Sequence, residues 1–326
     1  METGFRAVVV AVLTTACQPS HLPGLDLGTA GDKAELFGEG IISTNLYERD
    51  MAVSADGDEI VYTLGNYTQT LRCLVSIRKE NGKWNKPEVL PFSGRFNDIE
   101  PFFAPGGNLL FFASNRPVDP GNASERNDYN IWYVERKSSG WNQPVALDTV
   151  INTDGDEFYP SVSNSRSLYF TAQREGGHGR EDIWVSRFSD GRYQMAVPLD
   201  TAVNTETFEF NAYVSPAEDL IVFSSYGRAD DIGGGDLYFS VKNKEGNWEK
   251  ARNIGPEVNS DALDYCPFID FPRKTFYFTS KREADTKAKR ISVDGVRNEA
   301  NGILNGMGNI FRIKTDALAF PKRDIQ

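Results

Sequence analysis

Apolar residues come in short paired runs along most of the chain. Five stretches share one pattern: DMAVSADGDEIVYT (50–63), EPFFAPGGNLLFFASNR (100–116), YPSVSNSRSLYFTAQR (159–174), NAYVSPAEDLIVFSSYGR (211–228) and CPFIDFPRKTFYFTSKR (266–282). Each reads as a strand, a polar turn and a second, more continuously apolar strand. After a loop of variable length a third strand follows: LRCLVSIR (71–78), NIWYVER (130–136), DIWVSRF (182–188), DLYFSVK (236–242) and NIFRIK (309–314). A fourth strand is expected after turns that pair glycine with an aromatic at Trp84, Trp141, Tyr193 and Trp248. The period is about 55 residues, the length of a four-stranded propeller blade.

The fifth copy stops after its third strand, near Lys314. Residues 35–44 (ELFGEGIIST) align with the fourth-strand region of other copies, such as RNIGPEVNS (252–260). The expected fold is therefore all-β: a five-bladed β-propeller with four-stranded blades. Its ring is closed by the N-terminal strand pairing with the last blade.

The repeats resemble the WD-repeat-like propeller repeats of TolB-type bacterial envelope proteins. The residues that carry this are Ser54-Ala55-Asp56-Gly57, Ser114-Asn115-Arg116 and Asp182-Ile183-Trp184, and the resemblance covers residues 35–315. It implies the propeller fold and envelope partners. It names no ligand, because propellers carry many activities on one scaffold.

Aligning the copies exposes two sets of charges. Each copy has an acid at the start of its first strand: Glu48, Asp98, Glu157, Glu209 and Asp264. Five residues earlier stands Ser43, Ser93, Asn152, Asn204 or Asn259. After the second strand four copies carry Arg116, Arg174, Arg228 and Arg282. Alternating strand direction puts acids and arginines on one face. Two readings stay open: a ring that binds a ligand or cation, or charge-assisted pairs that hold each blade in register. Charges that every repeat shares point first to the second. Blade one lacks the arginine, so Glu48 is either free or paired with Arg49.

The chain has 326 residues, 25% of them charged, and a net charge of −11. An acidic balance argues against nucleic acid as a partner. The N-terminus reads as a targeting segment. Arg6 precedes a short apolar run from Ala7 to Leu13, and Thr14-Thr15-Ala16-Cys17 follows. This resembles a bacterial lipoprotein signal, in which Cys17 becomes the lipidated residue. The division expected is a signal peptide over 1–17, a linker over 18–34, the propeller over 35–316 and a tail over 317–326. The protein is expected in the periplasm or at the outer membrane, monomeric, touching the membrane only through a lipid anchor. Cys73 and Cys266 read as two buried, unpaired thiols.

Catalytic chemistry is thinly represented. His21 and His178 are the only histidines, and neither accompanies a nucleophile motif. No clustered Cys and His suit zinc, no phosphate-cradling loop precedes a helix, and no cofactor is expected. Acid-rich turns at Asp230, Asp231 and Asp236, or at Asp154 and Asp156, offer oxygen ligands without the spacing of a known calcium loop. One enzyme class stays open, glycoside hydrolysis or lysis by two carboxylates in the central funnel, for which Asp50, Glu100, Asp156 and Glu206 are further candidates. The aromatics Phe96, Phe158, Tyr159, Phe208, Phe210 and Tyr265 lie near the acids and would either stack on a ligand or pack between blades. Unequal loops between the second and third strands, the longest over 283–308, make one face the natural recognition surface. The chain thus reads as a binding module for an envelope protein, or for a polysaccharide or peptidoglycan-associated partner, rather than as an enzyme.

Overall fold

The computed structural model describes residues 24–119, 126–138, 140–284 and 292–320. The signal segment, Cys17 and His21 lie outside these residues, as do parts of two long loops.

Five antiparallel sheets are arranged as a propeller. Blade one runs Tyr47–Val53, Glu59–Gly65, Arg72–Glu80 and Glu88–Val89; blade two Asp98–Phe103, Leu109–Ser114, Asn130–Lys137 and Val145–Ala146. Blade three runs Glu157–Val162, Leu168–Ala172, Asp182–Ser186 and Val197–Pro198; blade four Phe208–Val214, Leu220–Tyr226, Asp236–Val241 and Arg252–Asn253. Blade five holds Asp264–Asp270, Thr275–Ser280 and Asn309–Lys314, and its outer strand is Glu35–Leu36. That strand pairs Glu35 with Arg312 and Leu36 with Phe311.

The second strands are apolar on both faces because each is covered by the neighbouring blades, so their residues read as runs rather than alternations. Phe112, Phe170, Phe223, Phe276 and Phe278 are all buried there. The aromatic turns shape the third strand instead of starting the fourth. Trp84 and Trp141 sit in two-residue extensions that pair back on it, and the outer strand follows.

Residues 24–34, read as linker from the sequence, are packed: Leu25, Leu27 and Ala30 are buried, and Phe37 meets Tyr277 edge-on at 5.1 Å. The start of the C-terminal tail is packed too, with Leu318 buried and Phe320 against Phe239 and Phe276. The long loop of blade five contains a helix, Val293–Ala300, capped by Ser292 and burying none of its residues. Cys266 is buried, whereas Cys73 is only half-buried, and both are free thiols.

Candidate functional site: the central channel and its mouth

The five acids begin the inner strands, and none has any exposed surface. Four of them meet the arginine of their own blade, at 2.5 Å for Arg116–Asp98, 2.7 Å for Arg174–Glu157, 2.8 Å for Arg228–Glu209 and 3.0 Å for Arg282–Asp264. Each arginine also donates to a backbone carbonyl of the crossover entering its blade: Phe92, Ile151, Val203 or Val258. One residue further on, the side chains of Ser93, Asn152, Asn204 and Asn259 bond the third strand of the preceding blade. Ser43 does the same with Ile310 across the ring closure. Acid, arginine and amide form a clasp between neighbouring blades. Burial pushes the Asp98, Glu157 and Asp264 carboxyls above their ordinary range despite these cations.

Arg49 is not the missing partner of Glu48, and Glu48 is not free. It accepts from the Thr44 amide at 3.0 Å, the Thr44 hydroxyl and Asn309 Nδ2 at 3.1 Å. A neutral amide from blade five takes the place of the guanidinium.

A second ring lies two residues further along each inner strand. Every blade has a bulge there, two residues facing one on the neighbouring strand. The first bulge residue is in the left-handed region although none is glycine: Asp50 (φ 59°), Glu100 (61°), Tyr159 (50°), Asn211 (50°) and Cys266 (55°). Such a conformation costs about 1–3 kcal/mol per residue. The bulge takes its amide off the ladder. In three blades that amide donates to a threonine hydroxyl of the preceding blade, Thr279, Thr63 or Thr171. Blade two has Ala113 at this place, and Glu100 supplies the acceptor instead, taking the Tyr159 amide at 2.7 Å.

These side chains converge on the axis. Arg49 donates to Asp50 at 2.8 Å and to Glu100 at 2.6 Å. Asn211 Nδ2 reaches Glu100 at 3.4 Å, and the Cys266 thiol reaches Asn211 at 3.7 Å. Burial outweighs Arg49 and lifts the Glu100 carboxyl to about 7. Of the four further acids considered for a funnel site, Asp50 and Glu100 are buried on the axis, and Asp156 and Glu206 are exposed in loops.

Above the cluster, on the loop-rich face, a cavity of about 300 Å³ opens. Its floor includes Glu100 and Asn211, and its wall includes Tyr47, Arg72, Phe158, Glu181, Phe210 and Lys281. Arg72 donates to the Tyr129 hydroxyl at 2.5 Å, and Tyr265 donates to Tyr47 at 2.9 Å. Phe158, Phe210 and Tyr265 thus lie at the mouth, Tyr159 lies in the axial ring, Phe96 stands under Arg116, and Phe208 packs on Tyr226. Arg72, Glu181 and Lys281 were not singled out from the sequence. Each sits at an end of a variable loop, and no spacing marks that position. The opposite end of the channel is mostly apolar, lined by Phe102, Tyr213 and Phe268 among others.

The turn at Asp230, Asp231 and Asp236 is largely taken up by the chain's own donors, and Asp156 accepts from the Tyr129 amide. Tyr238 bonds Asp230 and Asp231 at 2.8 Å each, and Asp236 accepts from Ile232 and Asn253. His178 is exposed in its glycine-rich loop.

No protein-family model matches the sequence, and comparison with characterised protein sequences found no match. Solved structures do match. The BT0996 RGII complex aligns with a TM-score of 0.52 at 9% identity, over 91% of this chain and 95% of that one. A putative TolB from Agrobacterium tumefaciens aligns at 0.46 and 16% identity, over 84% of this chain and 90% of that one. The catalytic domain of the Coprinopsis cinerea GH62 alpha-L-arabinofuranosidase aligns at 0.47 and 10% identity, over 90% and 97%. At these identities the likeness is one of fold.

Proposed function

We propose that this chain is a non-catalytic binding module of the cell envelope that takes a protein or envelope-polymer ligand at the channel mouth. The observation that carries the reading is a division of labour among charges. The repeated acids are buried and clasped, whereas the mouth presents cationic, acidic and aromatic side chains around an open cavity. Recognition groups on loop ends over a rigid scaffold are the usual arrangement of a binding face. The test is retention of envelope fractions by immobilised protein. Phe210→Ala should reduce retention severalfold while the melting temperature holds within a few degrees. Equal retention would remove the channel mouth from the reading.

A second reading is favoured by one observation: Asp50 and Glu100 share Arg49 on the axis, one of them with a pKa near neutrality. A carboxyl with a raised pKa next to a second carboxylate is the kind of pair that glycoside cleavage uses. Turnover on a glycoside panel that Asp50→Asn and Glu100→Gln each abolish would establish it in place of the first.

Export with lipidation at Cys17 belongs to the same proposal. Radiolabelled fatty acid should enter the protein and be lost in Cys17→Ser.

A further inference from the structure

The mouth of the channel is electrically lopsided. Arg72 reaches from blade one to Tyr129 of blade two, and Lys281 follows the second strand of blade five and stands over Tyr47 of blade one, so the two cations flank blade one. Neither makes a direct ion pair among the described residues: Arg72 bonds the Tyr129 hydroxyl and acts on Glu100 only through its field, and Lys281 stands 5.3 Å over the Tyr47 ring. Arg49, beneath them, spends Nε and Nη2 on Asp50 and Glu100, and its Nη1 makes no hydrogen bond among the described residues. Across the axis, on blade three, stands Glu181. Its carboxylate has neither a hydrogen bond nor an ion pair among the described residues, and Phe158 and Phe210 line the same cavity. Burial and the nearby Asp156 both disfavour its charge.

Half-buried charges are normally paired, because each loses hydration that a partner must replace. Here two cations and an acid line one cavity on different blades and make no ion pair with each other. A ligand carrying both charges would complete both walls. Phe210, on the strand that bridges to Glu181, suits an ammonium, which its ring face attracts. The guanidinium and lysine on the other wall suit a carboxylate. The volume, about 300 Å³, is at the small end for ligand sites.

We propose that the channel mouth is a zwitterion site that holds a free amino acid or a dipeptide, its carboxylate toward Arg72 and Lys281 and its ammonium toward Glu181. The inference rests on the reading of the mouth as a ligand site and names the ligand chemistry there.

The test is calorimetric titration of the purified full chain with the common amino acids and a set of dipeptides. For whichever probe binds, N-acetylation and C-amidation should each weaken Kd by about tenfold or more, the usual effect of losing one charge-assisted bond. Glu181→Gln should abolish the difference between free and acetylated probe and leave the effect of amidation. Lys281→Met should weaken the free probe and shrink the effect of amidation. The melting temperature of Glu181→Gln should not fall, because its carboxylate holds no other residue. Absence of binding across the set up to millimolar concentration overturns the proposal, and so does equal affinity for blocked and free probes. If the set fails while Phe210→Ala still lowers retention of envelope fractions, the zwitterion ligand falls and the binding module stands.

Discussion

At each blade junction a carboxylate with no exposed surface is held by its neighbours, and the identity of those neighbours sets what its loss would cost. Arg116→Met leaves Asp98 buried without a cation, which should cost about 3–5 kcal/mol in urea unfolding. Glu48→Gln removes a group held by a threonine and an asparagine, and should cost about 1–2 kcal/mol. If the two variants unfold at the same urea concentration, the clasp does not depend on its arginine. Two other carboxylates give opposite pH signatures. Glu218 is partly buried, which alone would raise its pKa. Hydrogen bonds from Ser165, Ser163, Arg187 and Tyr169 outweigh that and hold it well below its ordinary 4.5. Its contribution is therefore present above pH 4.5 and lost as the pH falls below it, so the stability gap between wild type and Glu218→Gln should narrow under acid. Glu100 behaves in the reverse sense. Its pKa in the fold, about 7, lies above the ordinary 4.5, so its contribution is complete below pH 4.5 and is lost as the pH rises through 7. Wild type should lose stability relative to Glu100→Gln across that interval, measured by denaturant titration at each pH.

At the scale of the strand, the closing element is short but well anchored. Glu35–Leu36 brings with it Phe37, buried against Tyr277, and the Arg312–Glu35 pair at 2.7 Å. Phe37→Ala should cost about 3–5 kcal/mol, as for other buried aromatics; a change under about 1 kcal/mol would show that this segment does not hold the last blade. The helix Val293–Ala300 is the contrary case. It buries nothing, so deleting residues 292–301 should shift the melting temperature by no more than about 2 °C. The strands were legible in the sequence because five copies repeat one pattern, and the displaced outer strand was legible because ELFGEGIIST matches RNIGPEVNS. The helix was not, because its eight residues lie in a loop that no other blade repeats. The packing of residues 24–34 was hidden for a related reason: Leu25 and Leu27 are buried by contacts with distant strands, which no local period records. The axial ring was half visible. Asp50 and Glu100 stand out in the sequence as acids, but the left-handed bulge that turns them inward has no glycine to mark it. Three of its members precede proline, at Glu100-Pro101, Tyr159-Pro160 and Cys266-Pro267, which is the one local sign that the strand bends there.

Across the whole molecule, the same backbone is repeated five times and then differentiated. The clasps recur at every blade junction, with Asn309 in place of the arginine at Glu48, and they hold the register of the ring. The loop ends do not recur, and they give the mouth its cations and its acid on different blades. Contacts at the axis tie blades that are not neighbours in the ring, since Glu100 of blade two receives bonds from Arg49 of blade one, Tyr159 of blade three and Asn211 of blade four.

The bulge ring has a consequence for how such a molecule changes over time. Each blade turns one residue into the channel by its backbone, and the same bulge carries five different side chains, of which Glu100 alone also holds a neighbouring bulge amide. The lining of the axis is therefore spelled by five codons, now Asp, Glu, Tyr, Asn and Cys at positions 50, 100, 159, 211 and 266. Descent can rewrite those letters one at a time while the blades that frame them keep their fold, and a library varied at these five places alone would sample the chemistry that the channel can hold.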